Sequence, residues 1–270
     1  MEAPELMSGR YSRVVSVVFT GLLAAACTGS GPDAPIEPGP SVYTPPAAVR
    51  NATVIWSAES GIDLFDTFPT LTRAAMEALE VAERVAGPEL SYPGFDEAVT
   101  DERQRDLHFR IVTGRGRPIF GTLYRHILEI VPTDTGFTAY VCAAFKDYAI
   151  KVDGGYNSSR SRTGSLRAIA LISNDPDYRP PTPDPSKPAV TTAVAPPSPP
   201  PGPPVWQAPE ENLFRGWTVD LNPPGELPDE RCAPWMATID PDAPAEHTPV
   251  RSDEPPETLP AYPGWSRYRH

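Results

Sequence analysis

The chain has 270 residues, 40% of them hydrophobic, and a formal net charge of −12. That balance excludes a nucleic-acid binder, which needs a basic face to displace phosphate counterions, and equally a protein held to anionic lipid by its own charge. The 37 prolines are bunched rather than spread, so only part of the length is available to a core.

At the start, Arg10 and Arg13 precede an apolar run over residues 14–26, and the small polar residues Thr28, Gly29, Ser30 and Gly31 follow Cys27. A run of about 13 residues has the length of a signal h-region and falls short of the roughly 20 that span a bilayer. Leu23-Ala24-Ala25-Ala26-Cys27 resembles the lipobox of bacterial lipoproteins of the actinobacterial type, with Ala24 where the family more often has Leu. The resemblance implies a signal peptide over 1–26, a diacylglycerol on the Cys27 thiol with further acylation (palmitate) of its amine, and a place at the cell membrane on the extracytoplasmic face. Secretion with cleavage near Ala26 and no lipid is the alternative. Glu2 and Glu5 are out of place in a positive n-region, and a start at Met7 avoids both.

The chain has three cysteines. With Cys27 lipidated, Cys142 and Cys232 remain, and two thiols can pair in an oxidising compartment. Such a disulfide stabilises a fold by roughly 4–5 kcal/mol in the chain-entropy model; two separate buried thiols are the other reading.

Residues 27–47 lack an apolar period and read as a flexible tether. A central segment, 175–205, holds 13 prolines and reads as an extended insertion. From 240 to 270 the chain is acidic and proline-rich again, a disordered tail. What remains between 48 and 239 amounts to about 160 residues, enough for one domain.

Within it, 47–57 reads as a short apolar helix. Residues 69–86 place Leu71, Ala75, Ala78, Leu79, Ala82 and Val85 on one helical face, and Gly87-Pro88 ends that helix. Residues 96–107 read as a third, more polar helix. Period-two alternation then predicts a hairpin of strands 121–131 and 137–146 around a five-residue loop ending at Gly136, with Phe137, Ala139, Val141, Ala143 and Phe145 toward the core. Further strands are expected at 166–172 and 213–221. The pattern predicts an α+β domain, with N-terminal helices packed on a curved antiparallel sheet. It resembles the nuclear-transport-factor-2-like (SnoaL-like) cone fold, from which the proline-rich insertion departs.

Enzymes of the cone family use an Asp or His, often with a Tyr, in the open end of the sheet. That resemblance points to His126, Tyr124, Tyr140 and Asp147 as catalytic candidates, His126 being the natural base near neutral pH. The plainer reading of that strand face is exposure to solvent. His108, His126, His247 and His270 show no ligand spacing, and no metal or other cofactor is expected. The acidic set Asp96, Glu97, Asp101 and Glu102 reads as a solvated helix face. The glycine run at 114–118 leads into a strand, not a helix, so it reads as a turn rather than a phosphate loop.

The function expected from these observations is a non-catalytic binding or accessory module of the cell envelope. It meets the membrane through its lipid anchor and takes an envelope protein or an apolar small ligand as partner. The alternative is a small-molecule isomerase, dehydratase or hydrolase working through His126 with Tyr124 or Tyr140.

Overall fold

The structure, a computed structural model, describes residues 43–85, 87–110, 116–180 and 204–265. The expected signal segment 1–26, the start at Met7, the lipidated Cys27, the tether through residue 42, the proline run over 181–203 and His270 lie outside the described residues.

In chain order the elements are β1 (Asn51–Ala58), α1 (Thr67–Val85), α2 (Phe95–Ala98), α3 (Glu102–Arg105), β2 (Ile119–Thr133), β3 (Gly136–Ala144), β4 (Tyr148–Val152), β5 (Gly155–Arg160), β6 (Ser165–Ser173), β7 (Trp217–Asp220), α4 (Ala233–Ile239) and β8 (Thr248–Ser252). One eight-stranded sheet runs β7-β6-β3-β2-β4-β5-β8, antiparallel throughout, and β1 joins the opposite edge of β2 in parallel. The domain is therefore mixed α and β with few helices.

The hairpin β2–β3 follows from its alternation. Its turn is tighter than the expected five-residue loop, because Thr133 pairs directly with Gly136. A Cβ on Gly136 would lie 1.9 Å from the Leu171 carbonyl oxygen of β6, so the close pairing of β3 with β6 requires glycine. Along the edge of β2 opposite β1, β3 and β4 follow one another, separated by Phe145–Asp147. Gly121 faces that step at φ +93°, where a Cβ would lie 2.0 Å from the Asp147 carbonyl oxygen.

The expected core face of β3 is correct: Phe137, Ala139, Val141 and Ala143 are buried beneath α1, with Phe145 packed against them. Phe137 stacks on Phe68 of α1, ring centroids 4.3 Å apart. The helix expected over 47–57 is instead strand β1. A short apolar run does not distinguish the two structures by periodicity, and Thr53, Val54, Ile55 and Trp56 favour a strand buried on both faces. The helix expected over 96–107 is broken into α2 and α3. Asp101 restarts it, its carboxylate accepting the Gln104 N–H at 2.9 Å; Glu97, Asp101 and Glu102 are exposed, as expected of a solvated face, and the half-exposed Asp96 pairs with Arg105.

The tail expected from 240 onward is part of the fold through Trp265. Strand β8 pairs with β5. Residues 257–265 form a strap along β1: Trp56 N–H donates to the Tyr262 carbonyl at 2.6 Å, and Tyr262 N–H donates to that of Val54 at 3.1 Å. Thr53 Oγ1 donates to the Leu259 carbonyl, and Leu259 N–H to Thr122 Oγ1. The strap thus closes the edge of β1, which would otherwise present unpaired backbone groups. Average composition hides it because a few apolar anchors (Ala261, Tyr262, Trp265) hold an otherwise polar, proline-rich stretch.

Two carboxyls on α1 sit inside the protein, and Trp265 of the strap meets the first of them, Glu77. Glu77 receives Trp56 Nε1 at 2.7 Å, Trp265 Nε1 at 2.9 Å and lies 2.6 Å from Tyr92 Oη. Burial pushes the Glu77 carboxyl up, against the pull of Arg73 and these donors. Hydrogen bonding points the same way. Tyr92 has one hydroxyl proton but faces two acceptors, Glu77 Oε2 and the Gln207 carbonyl at 2.5 Å. A proton on Glu77 would relieve that competition, which acts in the same direction as burial. Glu80, one turn on, goes the other way. Burial is outweighed there by Arg84 and Arg125, together with the Tyr148 hydroxyl and Arg167, which hold it below the usual carboxylate range.

Replacing Glu77 by Leu keeps volume but removes the acceptor of two buried indole N–H groups and the partner of a phenol. The Glu77→Leu variant is expected to lose about 3 kcal/mol or more, measured by urea denaturation. Phe65→Ala, at a side chain 51% exposed, should change stability by about 0.5 kcal/mol at most.

Candidate functional site

The alternation that sends Phe137 and Val141 of β3 under α1 sends Tyr140, Cys142 and Ala144 to the opposite face, beside Tyr124, His126 and Leu128 of β2. This outer face is not open to solvent. Helix α4 lies on it, with Trp235 and Met236 packed against Leu166, Ala144 and the two cysteines. Cys142 and Cys232 have their sulfurs at disulfide-bonding distance, 2.01 Å, and both residues are fully buried. Cys232 immediately precedes α4, so the cross-link ties the start of that helix to the middle of β3.

The three residues expected to converge share the outer face but are spread along the hairpin, Tyr124 opposite Ala144, His126 opposite Cys142 and Tyr140 opposite Glu129, and are engaged separately. Tyr124 Oη donates to Asp147 Oδ2 at 3.1 Å. Burial, then the Asp147 charge, raises its pKa further above the ordinary phenol value, which keeps it a donor. Tyr140 carries the Arg231 guanidinium over its ring at 4.8 Å, and Arg231 in turn pairs with Glu129.

His126 is held by residues that the sequence reading did not single out. The parallel register sets Ser57 of β1 opposite it. Ser57 Oγ lies 2.9 Å from Nδ1, and Glu59 Oε1 lies 3.3 Å from Nε2. Trp235 of α4 stacks on the imidazole, centroids 5.3 Å apart and planes at 16°. Burial lowers the His126 pKa, opposed by the hydrogen bond and charge of Glu59. The ring is then neutral near pH 7. A carboxylate only accepts, so the proton is assigned to Nε2, leaving Nδ1 to accept from Ser57. The order serine, imidazole, carboxylate is that of a nucleophile relay, covered on one ring face by an indole. No sequence motif announces it, because it depends on a pairing between strands 69 residues apart.

Next to this cluster α4 forms one wall of a groove of about 460 Å³. Met236 and Phe145 give it apolar surface, the stretch from the end of β5 to the start of β6 (Ser159 to Ser165) supplies hydroxyls, and Asp240 and His247 come from the segment after α4. Arg160 and Asp240 form a two-point pair across it, Nε to Oδ2 at 2.8 Å and Nη2 to Oδ1 at 2.5 Å. The hydrogen bond to Arg160 lowers the Asp240 pKa and that to Asp240 raises the Arg160 pKa. The loop is tied down by Arg162 N–H donating to the Pro244 carbonyl at 2.8 Å. Gly164, at φ +68°, brings its backbone against Met236, where a Cβ would lie 2.9 Å from the sulfur.

Among the described residues no group of three His, Cys, Asp or Glu side chains is placed to hold a metal ion, and no helix is long and apolar enough to cross a membrane. No family model, curated protein or solved structure matches the chain.

The His126 geometry has a pH signature. A base whose folded pKa lies below its unfolded value refuses a proton that the unfolded chain accepts, so stability falls as pH drops below about 6.5. Urea denaturation at about pH 7.5 and about pH 5.5 should show a smaller loss for His126→Gln than for the unaltered protein. Equal losses would mean that His126 takes up its proton without penalty in the fold.

Proposed function

We propose that this chain is a lipid-anchored, extracytoplasmic binding module of the cell envelope, tethered through Cys27 and taking its ligand in the groove beside α4. The anchor rests on the lipobox-like sequence. The cone-type resemblance belongs to the same reading, supported by the order of one long helix before a hairpin. The observation that carries the binding role is the separation of functions on the outer face. The groove is lined by paired and hydroxyl-bearing groups suited to holding a ligand, while the reactive constellation around His126 stands outside it under Trp235. An apolar ligand, the natural guest of a cone mouth, does not suit that lining, so the proposal moves to a polar one. An envelope protein remains the second class of partner.

The reading is tested by expressing the full chain in a bacterium with a lipoprotein pathway and partitioning its membranes with detergent. The unaltered protein should enter the detergent phase and Cys27→Ala the aqueous phase; identical partitioning of the two would overturn the anchor.

The contacts of Ser57, His126 and Glu59 favour a second reading, a hydrolase of small esters. In it Ser57 Oγ attacks the carbonyl carbon, His126 takes the hydroxyl proton and returns it to the leaving alkoxide, and water releases the acyl group. Covalent labelling of Ser57 by a fluorophosphonate, lost in His126→Gln, is the outcome that would establish it.

A further inference from the structure

We infer that the groove beside α4 is a saccharide site: it takes a neutral, polyhydroxylated ligand through the Arg160–Asp240 pair and the hydroxyls of the β5–β6 loop. This rests on the binding-module reading and names its ligand class.

The argument begins with charge. The lining holds two cations, Lys146 and Arg160, and two carboxylates, Asp229 and Asp240. Arg160 spends its charge on Asp240 through two hydrogen bonds. Lys146 is drawn toward Asp147 at 3.7 Å, outside the lining. An anion entering the groove would meet two carboxylates and no unpaired guanidinium. A cation would meet Lys146 and Arg160, with Asp240 held by Arg160 and Asp229 accepting the Leu166 N–H at 2.7 Å. An apolar molecule would cover an ion pair and several hydroxyls without replacing their contacts to water, at a cost of about 1–3 kcal/mol for each group left unpaired.

A neutral polyol meets none of these penalties. Its hydroxyls each donate and accept, and so do those of Ser159 and Ser165, while Ser161 and Thr163, hydrogen-bonded to each other at 3.1 Å, keep acceptor capacity and one free proton between them. The Arg160–Asp240 pair adds directionality. Two of the five guanidinium N–H groups are committed to Asp240, leaving three donors, and each Asp240 oxygen retains acceptor capacity. Donor and acceptor thus sit side by side in a plane, the arrangement that adjacent ring hydroxyls complement. Asp240 holds its position because its side chain is 7% exposed. Phe145 and Met236 offer apolar surface to the C–H face of a sugar ring. The volume lies within the roughly 300–1,000 Å³ range of small-molecule sites.

The groove is also preorganised. The cross-link of Cys142 to Cys232 places the start of α4, and the Arg162–Pro244 hydrogen bond fastens the hydroxyl-bearing loop. A site assembled before its ligand arrives loses less ordering entropy on binding.

The test uses the full chain in detergent. It is applied first to an immobilised panel of neutral hexose and N-acetylhexosamine oligosaccharides, and then titrated with the retained sugar or with inorganic phosphate while backbone amide shifts are followed. A neutral saccharide should be retained and should shift amides in 159–165 and 240–247. Its affinity should fall about tenfold or more in Asp240→Asn. It should also fall in the double variant Ser161→Ala with Thr163→Ala, which leaves the ion pair intact and so guards against a folding defect. Phosphate shifting these amides while no sugar is retained would overturn the saccharide class and leave a binding groove standing. Sugar bound equally by both variants would place the site elsewhere and overturn the inference. Neither probe shifting these amides would overturn the saccharide site and the binding groove together, while the anchor would still be judged by detergent partitioning.

Discussion

One buried carboxyl gathers the fold. Glu77 lies on α1, yet its partners come from β1 (Trp56), from the loop after α1 (Tyr92) and from the C-terminal strap (Trp265). Through Tyr92 it also reaches Trp206 and Gln207, in the first described segment beyond the central proline run. Segments separated by as many as 188 residues therefore close on one group. Burial pushes its carboxyl pKa up, against the pull of Arg73 and the surrounding donors. The adjacent Glu80 is surrounded by guanidinium groups and stays ionised. Two glutamates one turn apart thus do opposite work, one joining neutral donors, the other balancing Arg84 and Arg125.

That closure has a consequence for the far side of the sheet. With α1 and the strap sealing the inner face and the β1 edge, the outer face needs only a short cover, and α4 with its cross-link provides one. The seven residues of α4 are too few to be stable as an isolated helix. Their position is set by the Cys142–Cys232 link and by Trp235 stacking on His126. The groove lies at the rim of that cover, where strand, loop and helix meet.

Much of this was legible in the residues. The period of α1, the alternation of β2, β3 and β6, and the pairing of two cysteines after a third is set aside all appear in the sequence, because each depends on local pattern or counting. Other features depend on long-range partners. Strand β1 is buried on both faces and loses its alternation. Arg73, Glu77 and Glu80 look like the polar face of an amphipathic helix, although a helix that alanine-rich, in a chain with five tryptophans whose N–H groups need acceptors, was a usable signal. The strap reads as tail because its anchors are few. His126 stands out in the sequence, but Ser57 and Glu59 come to it only through the parallel register of β1 with β2. The groove's hydroxyls occupy a loop with no motif at all.

The central claim is that residues 257–265 fold as one unit with α1 and β1, held at Glu77, and are not an appended tail. Native-state hydrogen exchange tests it most directly, read at the Tyr262 amide, which donates to Val54, against the interior amides of α1. The account predicts that Tyr262 opens only with the global unfolding that exposes α1, so that both exchange with the same free energy. Exchange of Tyr262 at near the unprotected rate while α1 stays protected would contradict it.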